Sequence, residues 1–79
     1  MSILRNYPPR GMYIYELLTS HGYSIQTGAD LLGIDYRTLW RWITLENDMQ
    51  TKSLRLVCDG LERIDGQSWE VHALEILRR

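Results

Sequence analysis

The spacing of apolar residues along the chain predicts a series of amphipathic helices. Residues 12–21 place Ile14, Leu17 and Leu18 on one helical face, which predicts a core-forming first helix. Residues 51–64 repeat the same three- and four-residue spacing and predict a later core helix. The apolar positions of that later helix are Leu54, Val57, Cys58, Leu61 and Ile64.

Two shorter helices are predicted between these, over residues 25–32 and 36–44. Ser24 and Asp35 stand where N-cap residues would satisfy the first free N–H groups of each helix. Gly33 can adopt the left-handed conformation that ends the first of them. The residues expected to pack where the two helices meet are Ala29, Leu32, Ile34, Leu39 and Trp42. The sequence therefore predicts an all-α fold, a four- to five-helix bundle that contains a tight turn between two short helices.

The two ends of the chain are less regular. Residues 1–11 contain two prolines and a glycine and lack a consistent period, so we expect an extended N-terminal arm. Residues 44–50 are polar and predict a loop. Residues 67–79 begin with the candidate N-cap Ser68 and are rich in Ala, Leu and Glu, which favours a helix. The alternative for this segment is a short hairpin about Asp65 and Gly66.

Length and composition limit the class of protein. The chain has 79 residues, of which 44% are hydrophobic, and this predicts one small globular domain. No apolar run is long enough for a transmembrane helix or a signal peptide, so we expect a cytoplasmic protein without a membrane partner. Cys58 is the only cysteine and lies on a predicted apolar face, where a buried, inert thiol is expected.

The residue types give little support to catalysis or metal binding. His21 and His72 are the only histidines, and the sequence offers no triad, no glycine-rich phosphate loop and no cysteine pair. We therefore expect no enzyme, no cofactor, no metal and no small-molecule substrate. His21 is interpreted as a cap near the end of the first helix.

The formal net charge is −1, which is unusual for a nucleic-acid-binding domain. The charges are unevenly distributed, however. Residues 1–55 carry six basic and five acidic groups, whereas residues 56–79 carry three basic and five acidic groups. A surface that is basic only locally is therefore compatible with this composition.

Residues 22–43 contain the run G-x-S-x(4)-A-x-L-L-G-[IL]-x-x-R. Its residues are Gly22, Ser24, Ala29, Leu31, Leu32, Gly33, Ile34 and Arg37. This run resembles the lambda-repressor/Cro-like helix-turn-helix family, and most closely the small phage regulators called anti-CRISPR-associated repressors, with a looser similarity over residues 51–64. The resemblance implies an autoregulatory repressor that binds an inverted repeat in double-stranded DNA as a homodimer. Ile25 stands where the family often has a phosphate-contacting Gln, and Gln26 could make that contact instead.

The candidate DNA-binding residues follow from this resemblance and from the outward face of the helix over residues 36–44. They are Gln26, Thr27, Tyr36, Arg37, Thr38, Arg41, Lys52 and Arg55. Arg37 lies near the start of that helix, from where a guanidinium can pair with guanine, although a phosphate contact or an internal salt bridge are alternatives. Arg41 is expected to contact phosphate, and Tyr36 a phosphate or a thymine methyl group. Lys52 and Arg55 suit phosphate, or else lie on a solvated face.

Other functions remain open at the level of sequence. The helix-turn-helix could serve only as the scaffold of a protein-interaction module, or the protein could be an architectural or excision-type DNA binder. The segment 67–79 is expected to form the homodimer interface, because it has more apolar residues than so small a domain needs. Those residues are Trp69, Val71, Leu74 and Leu77.

Overall fold

The computed structural model describes residues 7–45 and 51–79, except for the side chains of residues 51 and 52. Over these residues the chain is all-helical. The helices are α1 (Pro9–Ser20), α2 (Ile25–Leu32), α3 (Tyr36–Leu45), α4 (Thr51–Asp65) and α5 (Trp69–Leu77). The predicted all-α class with four to five helices is therefore confirmed. A loop was predicted over residues 44–50, but Thr44 and Leu45 belong to α3, and residues 46–50 lie outside the described residues.

Local capping sets the boundaries of α2 and α3. The Ser24 hydroxyl oxygen accepts the Thr27 N–H at 3.1 Å, as an N-cap should. Gly33 adopts the left-handed conformation with φ 72°, and this ends α2. An Asp35 carboxylate oxygen then accepts the Arg37 N–H at 3.0 Å, close to where α3 begins. These contacts confirm the three predicted cap residues.

Helix α1 begins at Pro9 and not at Met12, so residues 9–11 do not belong to the predicted arm. Proline suits the first position of a helix, since the N–H that it lacks has no helical partner there and its φ is already helical. Gly11 belongs to this first turn and lies against the Ile43 backbone, where a Cβ atom would overlap the Ile43 carbonyl group. Residues 1–6 of that arm lie outside the described residues.

The core draws side chains from all five helices. Its buried apolar members are Ile14, Leu18, Ala29, Leu32, Leu39, Trp42, Ile43, Val57, Cys58, Leu61 and Ile76. Burial raises the pKa of the Cys58 thiol to about 11, with a further contribution from the Asp59 carboxylate. The thiol is therefore protonated at neutral pH, in line with the predicted buried cysteine.

Two glycines within helices allow α2 to pack closely on its neighbours. A Cβ atom on Gly28 would lie 2.7 Å from Leu18 Cδ1 of α1. A Cβ atom on Gly60 of α4 would overlap the Leu32 side chain. Glycine inside a helix costs about 1 kcal/mol relative to alanine. At these two positions a larger residue would force the neighbouring leucine side chain to shift within the core.

The C-terminal segment is a helix, so the alternative hairpin is excluded. Gly66, with φ 80°, follows α4, and the Ser68 hydroxyl accepts the Glu70 N–H at 3.2 Å at the start of α5. The helix packs on α4 and α1 through buried His72 and Ile76. Within residues 7–45 and 51–79, no helix has both the length and the apolar character that a membrane span requires.

Candidate nucleic-acid interface

Helix α3 has an apolar inner face and a cationic outer face. Leu39, Trp42 and Ile43 are buried on the inner face. Arg37 and Arg41 are exposed on the outer face. Because they lie four residues apart, the two arginines occupy the same side of the helix, one turn from each other. The buried face fixes the position of the helix, and the backbone that carries the two arginines is therefore held in place.

Neither of these guanidinium groups forms an ion pair with another described residue. The sequence of α3 contains no acidic residue. Asp35, the acid that precedes the helix, accepts the backbone N–H of Arg37 with its carboxylate. Glu46, the acid that follows the helix, lies outside the described residues. Arginine presents a planar set of donors that fits phosphate or guanine. The outer face of α3 is therefore able to bind an anionic or acceptor-rich partner.

The N-terminus of α2 adjoins this face. Gln26 and Thr27 are exposed there, as predicted, and the Ser24 hydroxyl donates to the Thr27 hydroxyl at 3.1 Å. An open cleft of about 420 Å³ has Gln26 on one wall and Tyr36 on another. The structure thus brings two candidate residues from separate helices to one cleft. Thr38, also a candidate, is half-buried in the first turns of α3.

Trp40 is held in place by an aromatic cluster that the sequence did not predict. Its ring makes an edge contact with the Tyr7 ring, at a centroid separation of 5.9 Å. Tyr7 in turn makes an edge contact with Tyr15 of α1 at 4.9 Å. The indole is half-buried, and its contact with Tyr7 links α3 to the segment before α1.

Arg55 differs from the arginines of α3, although it is also exposed. Its Nε donates to Asp59 Oδ1 at 3.2 Å, one turn along α4. Its guanidinium lies over the Trp69 ring, 3.7 Å from the centroid. These described contacts direct Arg55 to α5 and engage its charge within the protein. The side chain of Lys52, the other cation predicted on this helix, lies outside the described residues.

A buried polar chain joins three helices, and sequence analysis missed it. The Tyr13 hydroxyl lies 2.7 Å from His72 Nδ1, and His72 Nε2 lies 2.9 Å from Asp65 Oδ1. His72 has no exposed surface. An ionised carboxylate only accepts hydrogen bonds, so we assign the Nε2 proton to the bond with Asp65. Nδ1 then accepts the Tyr13 hydroxyl proton. The spacing of His72 four residues before Ile76 was the available sign that it faces the core.

Electrostatics support this assignment of protons. Burial alone would raise the pKa of Asp65, but hydrogen bonds from the Gln67 N–H and from His72 outweigh it and lower the pKa below the ordinary value of 3.8. Burial raises the pKa of the Tyr13 hydroxyl, and the nearby Glu75 and Asp65 carboxylates add to that effect. At neutral pH, Asp65 is therefore ionised and Tyr13 protonated.

The chain of Tyr13, His72 and Asp65 uses side chains found in acid–base catalysis. Both imidazole nitrogens are engaged, however, and the ring is inaccessible to a substrate. Its geometry is that of a link between α1, α4 and α5. Across the described residues, no group of three or more His, Cys, Asp or Glu side chains is arranged to hold a metal ion.

His21, the second histidine, lies at the end of α1. Its Nδ1 lies 2.9 Å from the Leu17 carbonyl oxygen, which is in the last turn of the helix. A contact to a terminal carbonyl group is the role expected of a C-terminal cap. The predicted capping role of His21 is therefore confirmed.

Comparison with known proteins adds no assignment to these observations. No protein-family model matches the chain, and no curated protein or solved structure is significantly similar to it.

Proposed function

We propose that the protein is a sequence-specific DNA-binding regulator of the lambda-repressor/Cro-like helix-turn-helix type. The observation that carries the proposal is the outer face of α3. It presents Arg37 and Arg41 one turn apart, exposed and without described ion pairs, on a helix whose other face is buried. The major groove admits one α-helix, and arginine is the side chain that most often contacts guanine there.

In this proposal each part of the interface has its own role. Arg37, near the start of α3, would pair with the O6 and N7 atoms of a guanine. Arg41 and Gln26 would bind phosphates, which position the protein without selecting a sequence. The positive end of the α2 dipole, beside Gln26, would favour the same anionic backbone. Three further candidate residues would lie beside these DNA contacts, namely Tyr36, Thr27 and Thr38.

The regulatory part of the proposal comes from the sequence resemblance. The protein would act in the cytoplasm as an autoregulatory repressor of phage type, binding an inverted repeat as a homodimer. Two recognition helices of such a dimer would enter successive major grooves, about 34–36 Å apart or a multiple of this. Two half-sites matter for this chain because its net charge of −1 gives little non-specific attraction to DNA.

A protein-interaction module is the second candidate, and one observation favours it. The outer face of α3 also bears Tyr36, which is 42% exposed, and half-buried Trp40, both beside the open cleft. Aromatic residues are enriched where proteins bind one another. In this alternative the two arginines would contact acidic groups of a partner protein.

Selection from a pool of random DNA duplexes tests the proposal. We expect the protein at low salt to enrich an inverted repeat, and a gel mobility shift on that repeat to weaken steeply as salt is raised. Retention of duplexes without any enriched sequence would favour an architectural DNA binder. Retention of no duplex at low salt would contradict DNA binding and favour the protein-interaction module.

A further inference from the structure

Helix α5 leaves a narrow apolar stripe on the surface. Val71, Leu74 and Leu77 are 43%, 63% and 54% exposed, although α5 has only nine residues. They follow one another at intervals of three, so they share one side of the helix. His72 and Ile76 occupy the opposite, buried side. One face of α5 thus completes the core, while the other remains uncovered.

The charges that flank this stripe have opposite signs at its two ends. Glu70 lies four residues before Leu74, and Arg78 lies four residues after it. Both are exposed. Val71 and Leu77 are likewise spaced three residues on either side of Leu74. The stripe is therefore symmetric in its apolar residues and complementary in its charges about a single central leucine.

We propose that α5 binds α5 of a second copy of this chain, antiparallel, about a two-fold axis at Leu74. In such an interface a residue before Leu74 meets the residue equally far after it in the other copy. Val71 then meets Leu77, and Glu70 meets Arg78, twice each. A parallel pairing would set Glu70 against Glu70 and Arg78 against Arg78, which opposes association.

The surface beside the stripe accommodates this pairing. An open cleft of about 240 Å³ lies next to Leu74 and is lined by Trp69, Glu70 and Ala73. These residues lie on the N-terminal half of α5, on the side where antiparallel pairing places Leu77 of the second copy. Arg78 is held loosely, because its contact with Glu75 is at 3.3 Å and its side chain is 75% exposed. It is therefore free to reach Glu70 across the interface.

The interface is small, since a nine-residue helix is only about 13 Å long. Its area falls below that of stable protein complexes, so we expect weak self-association that a palindromic duplex strengthens by holding two copies together. The inference rests on the proposed function only for that second effect. Self-association without DNA depends on α5 alone.

Sedimentation of the full-length protein without DNA, over a range of concentrations, tests the pairing. We expect a monomer–dimer equilibrium in the parent protein. Leu74→Glu should weaken the dimer by about tenfold or more, because it places two like charges at the two-fold axis. Glu16→Lys, a charge change on the exposed side of α1, is the control and should leave the equilibrium unchanged. Circular dichroism of each variant checks that its helices remain.

A charge exchange tests the antiparallel register. Glu70→Arg and Arg78→Glu should each be monomeric alone, because each sets like charges opposite one another. An equimolar mixture of the two should form a heterodimer, and the double variant should again form a homodimer. A parent protein that stays monomeric at millimolar concentration, or variants that do not complement each other, would overturn the proposal.

A titration with DNA distinguishes a failure of the proposed α5 pairing from a failure of the proposed DNA binding. Leu74→Glu should still bind a duplex that carries one half-site as the parent does, because α5 is not part of the proposed DNA interface. If the parent protein itself did not bind the half-site, the proposed function would be contradicted. The sedimentation result for α5 would not be affected. Removal of residues 67–79 is a poorer test, since His72 and Ile76 would leave the core with the stripe.

Discussion

The pair α2–α3 and the pair α4–α5 are built on the same local plan but present different surfaces. Each pair is joined by three residues, of which the first is a glycine at positive φ, Gly33 or Gly66. The third is a residue whose side chain accepts a backbone N–H of the next helix, Asp35 or Ser68. Yet the outer face of α3 is cationic, whereas that of α5 is apolar.

This difference shows that turn chemistry and surface chemistry are separate properties of a helix pair. The glycine and the cap determine where the second helix begins. The residues on its outer side determine which partner it suits, an anionic polymer for α3 or another apolar surface for α5. The inner faces differ as well, because α3 buries only apolar side chains there, whereas α5 buries His72.

The largest effect is expected from the inner face of α3. Trp42→Ala removes a large side chain that is 8% exposed, and the cavity should lower the free energy of unfolding by ~3–5 kcal/mol. Leu45→Ala, at a position 63% exposed on the same helix, should change it by less than about 0.5 kcal/mol. Urea denaturation followed by circular dichroism measures both. Equal stability of the two variants would show that α3 is not anchored by this face.

The next effect concerns the outer face of α3. Arg37→Ala should remove about 1–3 kcal/mol of discrimination at one base position per half-site, because the bidentate contact with guanine is lost. Fluorescence anisotropy with the selected duplex and its single-base variants measures this. Arg63→Ala is the matched control, since it removes the same charge from α4, where the guanidinium donates to the Leu31 carbonyl. If both variants kept the parent's base preference, recognition would lie elsewhere.

An effect of similar size is expected at the inner face of α5, where His72 contacts Tyr13 of α1. Tyr13→Phe leaves His72 Nδ1 buried without its hydroxyl partner, which should lower the free energy of unfolding by about 1–3 kcal/mol. Tyr15→Phe on the same helix is the control, and we expect it to cost less than about 0.5 kcal/mol. Thermal or urea unfolding of the two variants separates them. Similar values would mean that the hydroxyl bond to His72 contributes nothing to stability.

The hydrogen-bonded chain of Tyr13, His72 and Asp65 also predicts a dependence of stability on pH. The pKa of Asp65 is lowered in the folded protein, so its ionised form contributes stability above the unfolded value of 3.8. That contribution should decline as the pH falls below about 4 and through the folded pKa. Asp65→Asn should be less stable at neutral pH and should lose less stability between pH 6 and pH 3. Parallel pH profiles for the parent and Asp65→Asn would contradict this.

The smallest effects should distinguish the arginines of α3 and α4. Arg55→Ala removes a stacking contact with Trp69 and an exposed ion pair, and should cost about 0.5–1 kcal/mol of stability. Arg41→Ala should leave stability within about 0.5 kcal/mol but lower the salt dependence of DNA binding by about one phosphate contact. Urea titration and binding at several salt concentrations test the two. A reversed pattern would place the phosphate contact on α4.

Features that depend on neighbouring residues were predictable from sequence. Ser24, Gly33 and Asp35 act within a turn of where they stand, so their residue types were enough to predict the bounds of α2 and the start of α3. The helix over residues 69–77 followed from propensity and Ser68 in the same way. The start of α1 differs from the prediction, because a proline pair is typical of extended chain but proline also suits the first position of a helix, where Pro9 lies.

Features that depend on distant residues were not predictable. The bond between Tyr13 and His72 joins residues 59 positions apart, and only the packing of α5 on α1 brings them together. The contact of Tyr7 with Trp40 likewise requires the tertiary fold. For Arg55, the sequence indicated exposure but not the ring of Trp69 beneath it. Exposure follows from helical spacing, whereas the partner of an exposed charge follows from how helices pack.

The most direct test of the proposed DNA interface is an NMR titration of the Leu74→Glu variant with a duplex carrying one selected half-site. This variant should weaken the proposed self-association, so that changes in backbone amide signals report mainly contact with DNA. We expect the largest changes at the N-terminus of α2 and along the outer face of α3, at Gln26, Arg37 and Arg41, with little change in α5. No change at low salt, or the largest changes in α5, would contradict the account.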